Sequence, residues 1–331
     1  MGQPGSDYSI IEENFDSLSS FWLKPQTFLN WDSIFILPPW LEVWEKAYGS
    51  TADPCLYSVH RNNTVIGLAP LLLKEDEASL MGSNDVCDFV DFVIAPGEGD
   101  NFFNILIDHL KRKGIRRLDL GLLRPDSTVF THLIPLAEER KKEVICEAED
   151  VSLEMDLPDS WEAYLGMLKG KQRHEVRRKL KRFQEKGRSG YRVIEDRAEV
   201  PETMDLFLKF FRQSRSDKET FLTPKREAFF RAIAERMAQE HLLRLGILDL
   251  DETPVAAILY FEYNDVVYLY NSGYDPQYGS MGVGLISKLL CIKDCTEKGR
   301  KKFDFLKGAE VYKYRLGGKE VPLHRCRITI E

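Results

Sequence analysis

The chain has 331 residues, 43% of them hydrophobic and 30% charged, with a formal net charge of −7. This composition excludes a disordered or fibrous chain, and the length suits two domains of roughly 150 residues each. The acidic balance argues against a general DNA-binding protein, and the longest apolar runs, such as residues 255–261, fall far short of the ~20 residues that a membrane helix requires.

Residues 1–25 read as a polar arm without the basic-then-apolar pattern of a secretory signal, so a cytoplasmic location, free or peripheral at a membrane, is expected. Met1, Gly2 and Ser6 fit the N-myristoylation spacing, which matters only in a eukaryotic host. Helix is expected after Pro39. Strands are expected near residues 56–60 and 64–73, joined by a turn at Asn62 and Asn63, and a helix over 101–113 stops at Gly114. The acidic segment 147–150 marks the boundary between a first unit (26–150) and a second (151–331). A strand, VSLEMDL, opens the second unit. Asp159 and Glu162 then form a capping box before one long helix, whose Leu165, Leu168, Val176, Leu180 and Phe183 make a single apolar face. A second helix follows Pro201, and a third starts at Thr223 and Pro224. Strands over 242–250, 254–263 and 266–274, separated by the polar pairs Asp251–Glu252 and Asn264–Asp265, should form an antiparallel meander. A helix over 283–298 and strands at 302–306 and 322–330 complete the unit. The six cysteines (Cys55, Cys87, Cys146, Cys291, Cys295, Cys326) are scattered, with no ligand-spaced histidine, and read as reduced core thiols. Cys291 and Cys295 share a helix face but make only half a metal site, so no metal is expected.

Two words repeat. KRKGIRRLDLG (111–121) and TEKGRKKFDFLKG (296–308) place Gly114 with Gly299 and Asp119 with Asp304 at one 185-residue offset. Each word follows a strand pattern, a second apolar run, a Gly-rich loop and a helical pattern in the same order, so the chain reads as a duplicated α/β unit.

The loop before the last helix is Gly279, Ser280, Met281, Gly282, Val283, Gly284. Small residues let consecutive amides converge on one point, and such a nest at a helix N-terminus binds phosphate oxygens; a tight glycine-rich turn is the alternative. Leu285 and Ile286 stand where a P-loop has Lys and Ser/Thr, and Ser287 replaces the last glycine of a dinucleotide fingerprint. The first copy keeps Gly97 and Gly99 but adds Glu98 and Asp100, carboxylates that repel a pyrophosphate. The cosubstrate site is therefore expected in the second copy, with the first walling off a cleft. Residues 169–188 hold ten Lys or Arg against two Glu. This basic helix, with Lys171, Arg173, Arg177 and Arg178, suits either solvation alone or a polyanion such as a CoA phosphate, a tRNA end, a nucleotide-sugar or anionic lipid.

The run from PVAAILYF through YLYNSGYDPQYGSMGVG to FDFLKGAEVYKYRLGG, with KQRHEVRRKLKRF before it, resembles the acyltransferase half of CelD-like and FemAB-like proteins, a tandem branch of the GNAT superfamily. The likeness covers most of residues 151–331 and reaches the first unit more loosely through the repeat; Gly279 stands where many GNAT loops open with Arg or Gln. It implies an α/β (α+β) fold of two tandem GNAT-like units, each a mixed, mostly antiparallel sheet flanked by helices. It also implies acyl-CoA as cosubstrate with no permanently bound cofactor, Asn271 and the Gly loop as its binding residues, and an amine of a sugar, a cell-envelope precursor or a small metabolite as acceptor. Amides of residues 271–274 would polarise the thioester carbonyl, with Tyr274 as acid and Tyr278 and Tyr312 behind it. Asp304, opposite Phe303 and Phe305 by strand alternation, and Glu310 are the candidate bases, although the twin Asp119 points Asp304 toward a structural role. Lys313 and Arg315 would stabilise the oxyanion or hold an anionic acceptor. No cysteine has a nucleophile's setting, which favours sequential transfer over ping-pong. Two other readings stand: an aminoacyl-tRNA-dependent FemAB-like peptidoglycan bridge transferase using the basic helix for RNA, though no heptad-patterned hairpin arm is present, and a non-catalytic binding protein of polysaccharide assembly.

Overall fold

A computed structural model describes residues 7–24, 28–49, 52–82, 85–214 and 216–331, the side chains of residues 216 and 217 excepted. The chain forms two compact units. The first runs to Asp150 and includes Val321–Glu331; the second is Val151–Glu320. No helix among the described residues is long and apolar enough to cross a membrane.

In the first unit, residues read as a polar arm instead form β1 (Tyr8–Glu13) and α1 (Phe15–Leu23). The Asn14 side chain caps α1 by accepting from the Ser17 amide, and β1 pairs antiparallel with β2 (Asp53–Arg61). The stretch looks polar because α1 buries only Leu18 and β1 is an edge strand. Then come α2 (Pro38–Tyr48), β3 (Thr64–Lys74), β4 (Glu77–Leu80), β5 (Val93–Ile94), α3 (Gly99–Arg112), β6 (Arg117–Leu123), α4 (Ile134–Glu139) and β7, which begins at Val144 and runs to Asp156. The C-terminal strand, β13 (Lys319–Thr329), pairs antiparallel with β6, so the sheet runs β1-β2-β3-β4-β6-β13 with β5 beside β3. Cys146 and Cys326 form a disulfide between positions 180 residues apart, which corrects the expectation of six reduced thiols. No local spacing announces such a pair, because pairing in space and not in sequence brings the two sulfurs together.

The second unit contains Val151–Asp156 of β7, α5 (Trp161–Met167), α6 (Gly170–Gln184), β8 (Ser189–Ile194), α7 (Val200–Ser214), α8 (Ser216–Phe221), α9 (Pro224–Gln239), β9 (Leu243–Leu250), β10 (Thr253–Tyr263), β11 (Val266–Tyr274), α10 (Val283–Glu297), β12 (Lys302–Lys307) and α11 (Val311–Arg315). The expected long helix is two. Ser160, not Asp159, caps α5 by accepting from the Ala163 amide, and the buried Leu168 is extended, so α6 starts afresh after Lys169. The sheet runs β7-β12-β11-β10-β9-β8 and is antiparallel except between β11 and β12. The meander forms as expected. Asp251–Glu252 and Asn264–Asp265 all have φ between 49° and 64°, the paired left-handed geometry that matches the twist of a two-residue hairpin.

Helices α7 and α9 lie against β9–β11 on one face, and α10 lies against the same strands. Successive strand residues point to opposite faces. Gly273 accordingly meets the backbone of α7, while Ser272 is bonded to Lys288 of α10. A Cβ at Gly273 would lie 2.3 Å from the Phe211 nitrogen and 2.4 Å from the Phe210 carbonyl carbon; a helix backbone cannot yield as a side-chain tip can. Gly273→Ala is expected to lower the unfolding free energy by about 1–3 kcal/mol. Gly190→Ala, where the added methyl meets nothing within 4 Å, should be neutral or slightly stabilising. Urea denaturation of both variants checks the contrast.

Candidate active site

Strands β11 and β12 pair over three residues, Val266–Tyr268 with Lys302–Asp304. β11 then continues to Tyr274 with β10 on one side and no strand on the other among the described residues. β12 leaves because it bulges: Leu306 has φ 63°, and its amide donates to the Asp304 carboxylate at 2.7 Å, which also accepts from the Ser152 hydroxyl at 3.1 Å. Asp304 is 2% exposed. It braces the bulge at Leu306, and this burial with two donors fits the structural role that its twin Asp119 suggests. Its twin Asp119 takes a different partner, the Arg325 guanidinium.

The open edge of β11 leads to the Gly loop, which is more ordered than an open nest. The Asp275 side chain accepts from the Gln277 amide, Pro276–Met281 form a 3-10 turn, and the Gly282 amide is spent on the Gly279 carbonyl at 2.9 Å. Gly282 then turns left-handed (φ 76°) and α10 begins. The amides left facing forward are those of Val283 and Gly284, which have no acceptor within the helix. The Tyr274 ring packs beneath the loop: a Cβ at Gly284 would meet it at 2.9 Å, and one at Gly279 at 3.5 Å. Ser280 is exposed, and Tyr278 and Met281 pack against the small core around Val283 and Ile286.

The cation at this loop is one the sequence reading did not select. Lys179 places its Nζ 3.5 Å from where a Cβ on Gly282 would be. Lys179 shares Glu175 with Arg178, at 3.4 Å and 2.6 Å, and Arg177 pairs with Glu162 at 2.9 Å, while Lys171 and Arg173 have no ion-pair partner among the described residues. The signal was present: Val176, Leu180 and Phe183 face inward, and Lys179 borders that stripe. The corresponding loop of the first unit also has a left-handed glycine, Gly97 at φ 79°, but its own side chains cover it. The His132 ring would lie 2.4 Å from a Cβ on Gly99, Asp100 holds His132 at 3.0 Å, and Glu98 pairs with Arg61 at 2.9 Å.

Three lysines from three helices converge beside the open edge. Lys288 of α10 is 8% exposed. Its Nζ donates to the Ser272 hydroxyl at 2.8 Å and the Gly284 carbonyl at 2.9 Å, and it lies 4.9 Å from the centre of the Tyr312 ring. Burial above all, then repulsion from Lys218 and Lys313, lowers its pKa to about 7, with Cys291 and Glu310 pulling the other way. Lys218 of α8 donates to the Ser272 carbonyl. Lys313, 2% exposed, donates to the carbonyls of Leu306 and Lys307 and pairs with Glu310 at 2.9 Å. Glu310 and Arg315 are exposed, and Asn271 and Tyr274 are half-buried. The structure thus gathers Tyr274 with Gly279 and Gly282–Gly284, and Glu310 with Lys313; Arg177 pairs with Glu162, and Arg178 pairs with Glu175, which Lys179 shares.

The sequence of residues 170–314 matches the acetyltransferase (GNAT) domain family. Residues 170–314, less than half of the chain, therefore resemble a GNAT acetyltransferase domain. No curated protein matches the chain by sequence. Among solved structures, FemX is similar over 96% of both chains at 12% identity, with a TM-score of 0.64. A conserved protein of unknown function from Bacteroides thetaiotaomicron is similar over 97% of this chain and 99% of its own (13% identity, TM-score 0.57). The C-terminal domain of a putative lysylphosphatidylglycerol synthetase from Agrobacterium fabrum is similar over 80% of this chain and 81% of its own (11% identity, TM-score 0.54). At these identities the likeness is one of fold. A GNAT domain implies a transferase with an acyl donor and an acceptor, and its boundaries here enclose the open edge of β11, the Gly loop, Lys179 and Lys288.

The buried amine of this region has a measurable signature. Folded Lys288 is charged below about pH 7 and neutral above it, whereas an unfolded lysine stays charged to about pH 10.4. Between those values the unfolded chain binds more protons, so native stability rises with pH across that window. Lys288→Met removes the effect. Its stability gain over the native chain is expected to be largest at pH 6 and to shrink by about 3 kcal/mol toward pH 10, read from denaturant midpoints at each pH.

Proposed function

We propose that the GNAT domain is an N-acyltransferase that takes an acyl group, acetyl in the simplest case, from acyl-CoA and passes it to an amine of a sugar, a cell-envelope precursor or a small metabolite. The observation that carries this reading is the parting of β11 from β12 after Tyr268, because it leaves a strand edge that ends at the start of a helix. An extended amide-bearing arm such as pantetheine can add to an open strand edge as a further strand does. A pyrophosphate at its far end would then meet the free amides of Val283 and Gly284, the positive end of α10 and the Lys179 ammonium. Asn271, Ser272 and Tyr274 line the segment where the thioester carbonyl would fall. The remainder of α6, including the unpaired Lys171 and Arg173, suits the outer phosphate.

Acetyl-CoA is expected to raise the melting temperature of the native chain saturably. Lys179→Glu, which replaces the nearest cation with a carboxylate, should weaken binding at least about tenfold, a change of ~1.4 kcal/mol. Gly282→Asp, which keeps a residue tolerant of the left-handed turn but adds negative charge at the loop, should abolish the shift. A chain that ignores every acyl-CoA but binds charged tRNA in a saturable, salt-sensitive way would replace this reading with the aminoacyl-tRNA-dependent one. Silence toward both would favour a binding protein.

A further inference from the structure

We infer that the acyl group reaches this site on the phosphopantetheine arm of an acidic carrier protein, which docks along α6. This rests on the acyl-transfer reading above and deepens it, because acyl-CoA and an acylated carrier present the same arm and differ in what holds its far end.

One side of α6 is a cationic stripe. Lys171, Arg178, Arg182 and Lys186 follow one another at intervals of seven, four and four residues with Lys179 beside them, so they share a side of the helix. The Lys186 amide still donates to the Phe183 carbonyl, which carries the stripe one turn past Gln184. At 1.5 Å per residue it is about 22 Å long. Glu175 alone interrupts it, and Arg178 and Lys179 share that carboxylate. Lys171, Arg182 and Lys186 are exposed and form no ion pair among the described residues. The phosphates of one CoA gather near Lys179 and leave both ends of the stripe unmatched, whereas an acidic helix laid alongside matches its whole length. Residues 169–188 hold ten Lys or Arg against two Glu in a chain of net charge −7, so the remainder is acidic and confines an acidic partner to this helix. An extended nucleic acid would meet that acidic remainder as well.

The Gly loop has the matching capacity. With the Gly282 amide spent on Gly279, the amides of Val283 and Gly284 are two donors for the two unbridged oxygens of a single phosphodiester, and Lys179 stands beside them. The bond between a pantetheine arm and a carrier's serine is such a phosphodiester. The pyrophosphate of CoA brings a second charged group, which two amides and one lysine match less fully. From this phosphate the arm runs along the edge of β11 that β12 has left, and its thioester falls beside residues 271–274. There the neutral acceptor amine forms a bond to the carbonyl carbon, the C–S bond breaks, and the amine's proton goes to the departing sulfur, so the carrier leaves with a free thiol.

The test titrates the full chain with the acyl carrier protein of fatty-acid synthesis, in its apo and acetylated forms, and reads heat and displacement of acetyl-CoA. The acetylated carrier is expected to bind saturably, to displace acetyl-CoA, and to lose at least about tenfold in affinity between about 50 and 300 mM salt. The apo carrier, which has the acidic surface without the arm, should bind about tenfold more weakly. Arg182→Glu combined with Lys186→Glu should weaken the carrier at least about tenfold and keep the acetyl-CoA thermal shift. Lys209→Glu combined with Lys225→Glu makes the same change in net charge at exposed positions of α7 and α9 and should leave both unchanged. Equal loss in the two double variants reduces the effect to net charge and overturns docking on α6. Equal affinity for apo and acetylated carrier, tighter binding of uncharged tRNA or of phosphatidylglycerol vesicles at the same salt, or an acetyl-CoA shift with no carrier binding also overturns the inference, and in the last case the acyl-CoA reading stands. Carrier binding without any acetyl-CoA shift keeps the inference and removes free acyl-CoA as donor. Silence toward both overturns both.

Discussion

The second unit depends on a strand pair that is allowed to form and then made to fail. Parallel strands normally hold each other along their length, and here the contact ends after Tyr268 because a left-handed residue, Leu306, turns β12 aside. A leucine with φ above zero is uncommon and is tolerated only where its surroundings over-determine it. Asp304 supplies that determination by taking the Leu306 amide and the Ser152 hydroxyl. The Asp304 carboxylate therefore acts on the site at one remove. Without it the bulge would lose its fastening, and β11 would lose the unpaired edge around which the loop, the lysines and the serine are arranged.

The two copies of the repeat separate what a backbone fixes from what side chains decide. Gly97 and Gly282 turn left-handed just before their helices, and Gly114 and Gly299 do so just after them. The helices end alike, with Ile115 bonding back to Leu110 and Arg300 to Cys295, each at 3.0 Å. On this common frame the first copy lays His132, Glu98 and Asp100 over its loop, while the second leaves the helix start beside Lys179. Left-handed glycines at matching positions with different side chains over the two loops are what a duplicated unit would show after its copies diverged.

Much of this was legible in the chain. The meander was readable from its polar turn pairs, the ends of both helices from their glycines, and the family likeness from the run ending in YKYRLGG. Other features were hidden for definite physical reasons. β1 and α1 bury too little to show a period. The break between α5 and α6 is invisible because Leu168 continues the apolar spacing of a single helix. Lys179 was passed over in favour of Arg177 and Arg178, and since all three pair with Glu162 or Glu175 what distinguishes Lys179 is its place beside the Gly282 turn, which only coordinates reveal. Lys288 is the most instructive omission. It interrupts LISKLLC, an otherwise apolar turn of α10, and a lone lysine there could as well have reached out to solvent. Its burial follows from the Ser272 hydroxyl and Gly284 carbonyl waiting on the inner side, which one-dimensional spacing cannot show.

The first unit is completed by the last residues of the second unit's chain path, since Val321–Glu331 belong with residues up to Asp150. During synthesis, then, the transferase unit is fully emerged before its companion has its final strand. β6 must wait with an open edge until β13 arrives, and an open edge is a template for wrong partners as well as right ones. The Cys146–Cys326 bridge would lock that late arrival in place. The connectivity therefore lets the second unit be complete before the first has received its last strand.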